Sequence, residues 1–317
     1  MATTPRNVHI DKLLSEVAIN YKPKGGIAPM VAPIVSVQHQ SDHYPIFSRA
    51  DMLRTENDKR ARGTEASQIH ISVSSATYFA DNYALKTNVP IEDRANADAV
   101  LVQEIYNSGA RMVTNKLLLN WEYRLAKQVT SGSNVGSYSG VGSAWTNTAS
   151  ASVLGNIWQA IDNVQDATGM RPNHIILGQN AWRNARRNTP LRDMIKGVSN
   201  GQGLPSLQQF GDLFEIENVF VGAAYYNSAN EAKAETLTTL WGDNVLVYYN
   251  PTVVTREEPA FMYSFRWAAP GLPNMQVERH PYDTKTKSEE LEVGYYQDEK
   301  IVGPEYGFLL AAVNSST

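Results

Sequence analysis

Between Asn96 and Thr130 apolar positions recur every three or four residues, with no proline to interrupt them. Leu101, Ile105, Met112 and Leu119 fall on one line at helical spacing, and Val113, Leu117, Trp121 and Leu125 on an adjoining one. Asn96 or Asp98 can cap the first amides, Glu104 stands near the positive end of the helix dipole, and Arg124 and Lys127 near the negative end. The pattern predicts one helix about 45 Å long, a spine on which other pieces hang. Gly109 inside it costs about 1 kcal/mol against alanine and permits a bend.

Before the spine the pattern loosens. Residues 1–39 read as an arm: a short helix over Asp11 to Tyr21 carries Leu13, Leu14, Val17 and Ala18 on one side. Extended chain follows, in which Pro23, Pro29 and Pro33 alternate with Ile27, Met30, Val31, Ile34, Val35 and Val37. Such an apolar arm needs a surface to lie on, either its own domain or a neighbouring subunit.

Residues 43–80 predict a two-stranded excursion, one strand over His43 to Ser48 and a second in which Ile69, Ile71 and Val73 alternate with polar residues. Its tip carries Arg49, Asp51, Arg54, Glu56, Asp58, Lys59, Arg60, Arg62 and Glu65. That tip is too long for a hairpin turn and has nothing to fold it locally. It is either a solvated loop or an arm whose mixed charges set register against a neighbour. Tyr78 to Asp93 then leads back to the spine.

After the spine, residues 131–143 are mostly glycine and serine, a connector and domain boundary. Residues 148–258 predict an α/β unit. Its first helix, Ser152 to Thr168, is amphipathic and stopped by Gly169. A buried strand over His174 to Leu177 follows, then short helices over Asn180–Arg187, Leu191–Lys196 and Pro205–Leu213. Strands are expected at Ile216–Tyr225, Leu237–Trp241 and Val245–Tyr249, the last two joined by a Gly242-Asp243-Asn244 turn. The remainder reads as strand: Phe261 to Trp267, Met275 to Tyr282, Glu289 to Tyr296 and Tyr306 to Val313. The fold class is α+β, one long helix beside a sheet.

Composition narrows the function classes. The 317 residues include 28 basic and 32 acidic, a net charge of −4, which argues against a dedicated nucleic-acid binder. No cysteine is present, so disulfides and thiolate metal sites are excluded. No apolar run backs the first residues as in a signal peptide, and none is long enough to span a membrane.

Candidate chemistry is sparse. Gly136-Ser-Tyr-Ser-Gly140 has tyrosine where a nucleophile elbow needs serine, and Gly201-Gln-Gly203 lacks the third glycine of a dinucleotide loop. His39 and His43 lie in extended chain, about 13 Å apart, too far to share a metal. Glu257-Glu258 and Glu289-Glu290 are adjacent pairs whose members face opposite sides of a strand. No catalytic, cofactor or metal residues are expected, and the reading is of a non-enzyme.

The ordered set of parts resembles the major capsid protein of tailed bacteriophages, the Hong Kong 97-type shell subunit. Tyr83-Ala-Leu-Lys-Thr-Asn-Val-Pro90 with Arg94-Ala-Asn-Ala-Asp98 is similar to the entry to that family's spine helix. Asn173-His-Ile-Ile-Leu-Gly178, Trp182 and Pro190-Leu-Arg-Asp-Met-Ile-Lys196 resemble the start of its axial domain. Val219-Phe-Val-Gly222 and Leu240-Trp-Gly-Asp-Asn-Val-Leu-Val-Tyr248 resemble its later strands, and Val302-Gly-Pro-Glu-Tyr-Gly307 its C-terminal segment. The resemblance implies an N-terminal arm (1–39), an extended loop (40–82), a peripheral domain holding the spine (83–147 and 259–317) and an axial domain (148–258).

It further implies self-assembly through hexamers and pentamers into an icosahedral shell around packaged double-stranded DNA. The nine charged residues of the loop tip would then be inter-subunit contacts. Expected partners are the chain itself, separate scaffolding and portal proteins, decoration proteins and, non-specifically, DNA. The expected location is the virion capsid, assembled in host cytoplasm, with no membrane. Family members that cross-link covalently join Lys to Asn; Lys59 is the lysine placed to try, with Asn274 as one partner, and that chemistry also needs a nearby carboxylate in a dry site. The alternatives are an encapsulin-like shell holding cargo, a tail or decoration protein, or an enzyme with an unrecognised site.

Overall fold

The computed structural model describes residues 9–10, 14, 18, 26–47, 51, 53–56, 58–60, 62–70, 72–198, 203–251, 253, 259–268 and 274–315. In chain order the first elements are β1 (His9–Ile10), α1 (Ala28–Val31), β2 (Ile34–Val37), β3 (Ser41–Phe47), β4 (Val73–Phe79) and β5 (Asp81–Pro90). Then come α2 (Ile91–Ala95), α3 (Ala99–Val129), β6 (Ser137–Gly140), α4 (Val153–Thr168), β7 (His174–Gly178), α5 (Gln179–Ala185), α6 (Thr189–Val198) and α7 (Leu207–Phe214). The rest are β8 (Asn218–Gly222), β9 (Tyr225–Asn227), β10 (Leu237–Thr239), β11 (Val245–Tyr248), β12 (Met262–Trp267), β13 (Gln276–Arg279), β14 (Ser288–Ile301) and β15 (Gly307–Ala311).

Two sheets share α3 as a beam. In the first, fourteen-residue β14 pairs with β5 along one edge and with β13 and then β12 along the other; β1 extends β13, and β2 extends β12 in parallel. The second runs β6-β15-β11-β7-β8. The first two-thirds of α3 buries Tyr106, Ala110, Val113 and Leu117 against Val277, Leu291, Val293 and Tyr295 of the first sheet. Its last third buries Trp121, Leu125, Ala126 and Val129 against Ile176, Leu246, Tyr248 and Leu309 of the second.

The predicted spine therefore forms, with Asp98 at its N-cap position, although that side chain makes no capping hydrogen bond. Only one of the two predicted apolar lines is the core face. Val113, Leu117, Trp121 and Leu125 are buried, whereas Leu101 and Met112 are more than half exposed, because the sheets cover a single side of the helix.

The arm lies on its own chain over the described residues. Leu14 and Ala18 are helical and join the core of the first sheet; Leu13 and Val17 lie outside the described residues. Residues 28–31 form a helical turn rather than extended chain, with Pro29 in the first turn, where its missing N–H costs nothing. β2 then buries Val35 and Val37 beside β12.

Three sequence expectations need correction. Tyr83 to Pro90 is not a lead-in but most of β5, paired with β14 over ten residues. The glycine-serine stretch contributes β6 at the edge of the second sheet, and the C-terminal segment contributes β15, between β6 and β11. The boundaries drawn at 147 and 258 therefore cut off two strands of the α/β unit. The Gly242-Asp243-Asn244 turn joins no hairpin: β10 pairs with β9, while β11 is clamped between β15 and β7 and buried on both faces.

Candidate interaction surfaces

The largest exposed feature is the β3–β4 hairpin and its tip. β3 and β4 pair antiparallel with His43 opposite Thr77. The second strand begins at Val73 and not at Ile69, which is exposed in the tip; Ile71 lies outside the described residues. The root is aromatic: Tyr44 and Tyr78 lie 5.1 and 4.7 Å from Phe265 of β12, with Val35 and Val37 beneath. The Tyr78 hydroxyl donates to the His39 carbonyl at 3.1 Å, and the Phe79 amide to Asp298 at 2.9 Å. A buried ring cluster at one end and polar ladder beyond it make a fixed base with a free span.

Beyond the ladder, the chain from 53 to 70 is exposed throughout its described residues. Arg54, Glu56, Asp58, Lys59, Arg60, Arg62 and Glu65 all face solvent, Asp51 is half-buried, and Arg49 lies outside the described residues. Several interactions among the described residues of the tip are local. Asp51 accepts from the Ser72 amide at 3.0 Å and stands 3.8 Å from Arg54, and the Arg60 guanidinium reaches the Thr64 carbonyl. Such exposed pairs contribute little to folding. Leu53, 62% exposed, lies against Gly169 at the end of α4, and with Ile69, Val73 and Phe79 it leaves an apolar component on an otherwise charged arm.

The buried polar groups hold the chain together instead. Glu122 of α3 is 2% exposed and has no cationic partner among the described residues. It accepts from the amides of Ile27 (2.9 Å) and Ala28 (2.7 Å), which open α1, and from the Trp241 indole at 2.7 Å. One carboxylate thus clips arm, spine and second sheet. Burial pushes its carboxyl above the usual range, against the downward pull of the three N–H donors. Trp241 reaches it because Gly222 leaves room: a β-carbon there would stand 2.2 Å from the indole. Glu122 was missed in the sequence, although a glutamate sharing a helix face with Leu118, Leu125 and Ala126 is a signal for a buried acceptor.

Glu289 and Glu290 point to opposite faces of β14, as the strand period requires. Glu289 accepts from Tyr106 (2.7 Å), Arg279 (2.7 Å) and Arg94 beneath the spine; Glu290 pairs with Lys86 at 2.9 Å. Burial pushes Glu289 up, but Tyr106 and the two arginines hold it below the usual carboxylate range. Tyr106 is driven to about 12 by burial and by that hydrogen bond. These carboxylates are structural ties. Glu257 and Glu258, Gly201 and Gln202 lie outside the described residues. Among the described residues no group of three or more His, Asp or Glu is placed to hold a metal, and no helix is long and apolar enough to cross a membrane.

The architecture is that of the Hong Kong 97-type capsid fold. A phage-related protein of Bordetella bronchiseptica superposes with a TM-score of 0.76 over 97% of this chain and 98% of its own, at 21% identity. The capsid of cyanophage P-SCSP1u gives 0.56 over 93% and 90%, and a virus-like particle from Pyrococcus furiosus 0.53 over 94% and 95%, both at 13% identity. In sequence, the chain is 23% identical to the Major capsid protein of Burkholderia phage BcepMu, over 96% of this chain and 97% of that one. It is 26% identical to the Major capsid protein of Pseudomonas phage JBD67, over 81% and 83%. No family model matches the chain.

Proposed function

We propose that this chain is a structural subunit of a closed shell, the major capsid protein of a tailed bacteriophage head, and that it encloses packaged double-stranded DNA. The observation that carries this reading is a capsid-type fold over the whole chain together with sequence likeness to two relatives named Major capsid protein, over 97% and 83% of their lengths. The subunit is a component of the virion capsid, assembled in host cytoplasm through hexamers and pentamers. Scaffolding, portal and decoration proteins are its expected partners, and its contact with DNA is non-specific.

The parts fit that work. Residues 40–82 are the extended loop, rooted on its own sheet by Tyr44, Tyr78 and Phe265 and spanning outward to a neighbour. Residues 148–258, completed by β6 and β15, form the axial unit, and the first sheet with α3 forms the peripheral one. An exposed arm that buries almost nothing on its own chain gains contact area only in an assembly. The charged residues of its tip set register there.

Charge reversal at Arg54 or Arg60 tests the loop assignment. The yield of closed particles should fall roughly tenfold, while the unfolding midpoint of the unassembled chain moves by about 2 °C or less. Normal yields would remove the loop tip from the contact set. An encapsulin-like shell is the alternative within the same fold. Particles purified from infected cells separate the two: an ultraviolet spectrum dominated by nucleic acid supports the phage head, and a protein-only spectrum with a second polypeptide supports the cargo shell.

A further inference from the structure

The α/β unit is electrically polarised along α4. At the end where this helix begins, Asn188 donates to the carbonyls of Thr148 (3.3 Å) and Ala151 (3.0 Å), which fixes the α5–α6 corner beside it. That corner carries Arg183, Arg186, Arg187 and Arg192, with Asp193 the acid among them. Asp243 also approaches it, through Asn314 and Asn184. Arg183 and Arg187 are exposed, and none of the four arginines is ion-paired among the described residues. The Nε atoms of Arg186 and Arg192 are buried without a partner.

The other end of α4 lies about 24 Å away along the helix axis. There the exposed stripe of α4 finishes in Asp162 and Asp166, and the end of α7 is tied in by Arg171, just past the helix, which donates to the Phe214 carbonyl at 3.0 Å. Asp212 and Glu217 are exposed at the same end. Arg171 is the local base, and it is taken by Glu215 at 2.9 Å. The remaining four carboxylates have no ion pair among the described residues. Asp166 also sits in the last turn of α4, at the negative end of its helix dipole, where an acid is unfavourable. Leu53 of the loop passes this end, but Arg54 beside it faces Asp51 at 3.8 Å.

Both clusters stand out in a chain whose net charge is only −4, and they lie on opposite ends of one rigid layer. We infer that they are the two halves of a head-to-tail contact between copies of this chain, the arginine corner of one α/β unit docking on the carboxylate end of the next. The inference rests on the shell reading and assigns it one inter-subunit surface. The two halves differ, so the contact is heterologous and closes by making a ring. Complementary charge at its two faces disfavours the reversed orientation, which would place like charges together.

The test uses the full chain with two pairs of substitutions, R183E with R187E and D162R with D166R, and their fourfold combination. All positions are exposed, so circular dichroism and thermal unfolding of the unassembled protein should match wild type. Either pair alone should lower the yield of closed particles roughly tenfold or more, through like-charge apposition. The fourfold variant restores complementarity at every contact and should recover particles. A mixture of the two separate pairs can alternate around a ring of six but not of five, so it should give hexamers without closed shells.

Particles at wild-type yield from either pair, or a fourfold variant that stays unassembled although folded, overturn the inference and leave the shell reading standing. Particles that form normally but lose nucleic acid assign the arginines to phosphate and also overturn it. A wild-type chain that never assembles overturns both.

Discussion

Glu122 is the point at which three distant segments meet. Ile27 and Ala28 bring the arm, the carboxylate belongs to the spine, and Trp241 comes from the turn that leads into β11 of the second sheet. Each carboxylate oxygen accepts, so an amide in its place must aim a donor at a donor. Glu122→Gln should therefore destabilise the subunit by about 1–3 kcal/mol, read by denaturant unfolding. The pH dependence has a definite sign. A carboxyl whose folded pKa lies above its ordinary 4.5 binds its proton more readily in the folded chain. The advantage of wild type over Glu122→Gln should then grow as pH falls from the raised folded value to about 4.5, and level off below it. A difference that shrinks over that interval would contradict burial as the dominant influence on this group.

At the scale of elements, α3 does two jobs with one face. Residues 106–117 pack on the first sheet and 121–129 on the second, so helix length itself joins them. Gly109 lies where a methyl group would meet Thr87 at 3.5 Å and Leu291 at 3.6 Å, ordinary contacts. Gly109→Ala should stabilise the subunit by about 0.5–1 kcal/mol, from helix propensity and a less flexible unfolded chain. Destabilisation would mean that the bend allowed by glycine is required. Elements with a strong local signal were legible in the chain: α3, α4 with its Gly169 stop (φ 72°), and the core strands β7 and β11. β5 was not. Asn82, Lys86, Thr87 and Asn88 dilute its alternation, and it is fixed by backbone pairing to β14, about two hundred residues away. β10 misled for a related reason: it lies near β11 in sequence, but β11 has both edges filled by β7 and β15, so the short exposed β10 turns outward to β9.

For the molecule as a whole, the order of parts carried more information than any single motif. Arm, charged hairpin, spine and α/β unit could be recognised in succession because each has its own periodicity. The return of the C-terminal segment to the second sheet could not, since Phe308, Leu309 and Leu310 read only as an apolar strand with no address. The surfaces were legible in part. The charged tip of the hairpin was evident as an unfoldable run, whereas the polarised ends of α4 needed the structure, which brings Arg183 and Arg192 to one end and Asp162 and Glu217 to the other. Leu53, Ile69 and Val73 remain more than half exposed on the isolated subunit, and Leu101 and Met112 line the open side of the spine. Those areas are too dispersed for a ligand pocket and well placed for lateral contact among copies.

Imaging the expressed full-length protein by negative-stain electron microscopy, with its mass in solution measured on the same sample, tests the central claim most directly. The account predicts closed particles tens of nanometres across, in equilibrium with free pentamers and hexamers. A homogeneous monomer or small oligomer that does not close, even with a candidate scaffolding protein supplied, would contradict it.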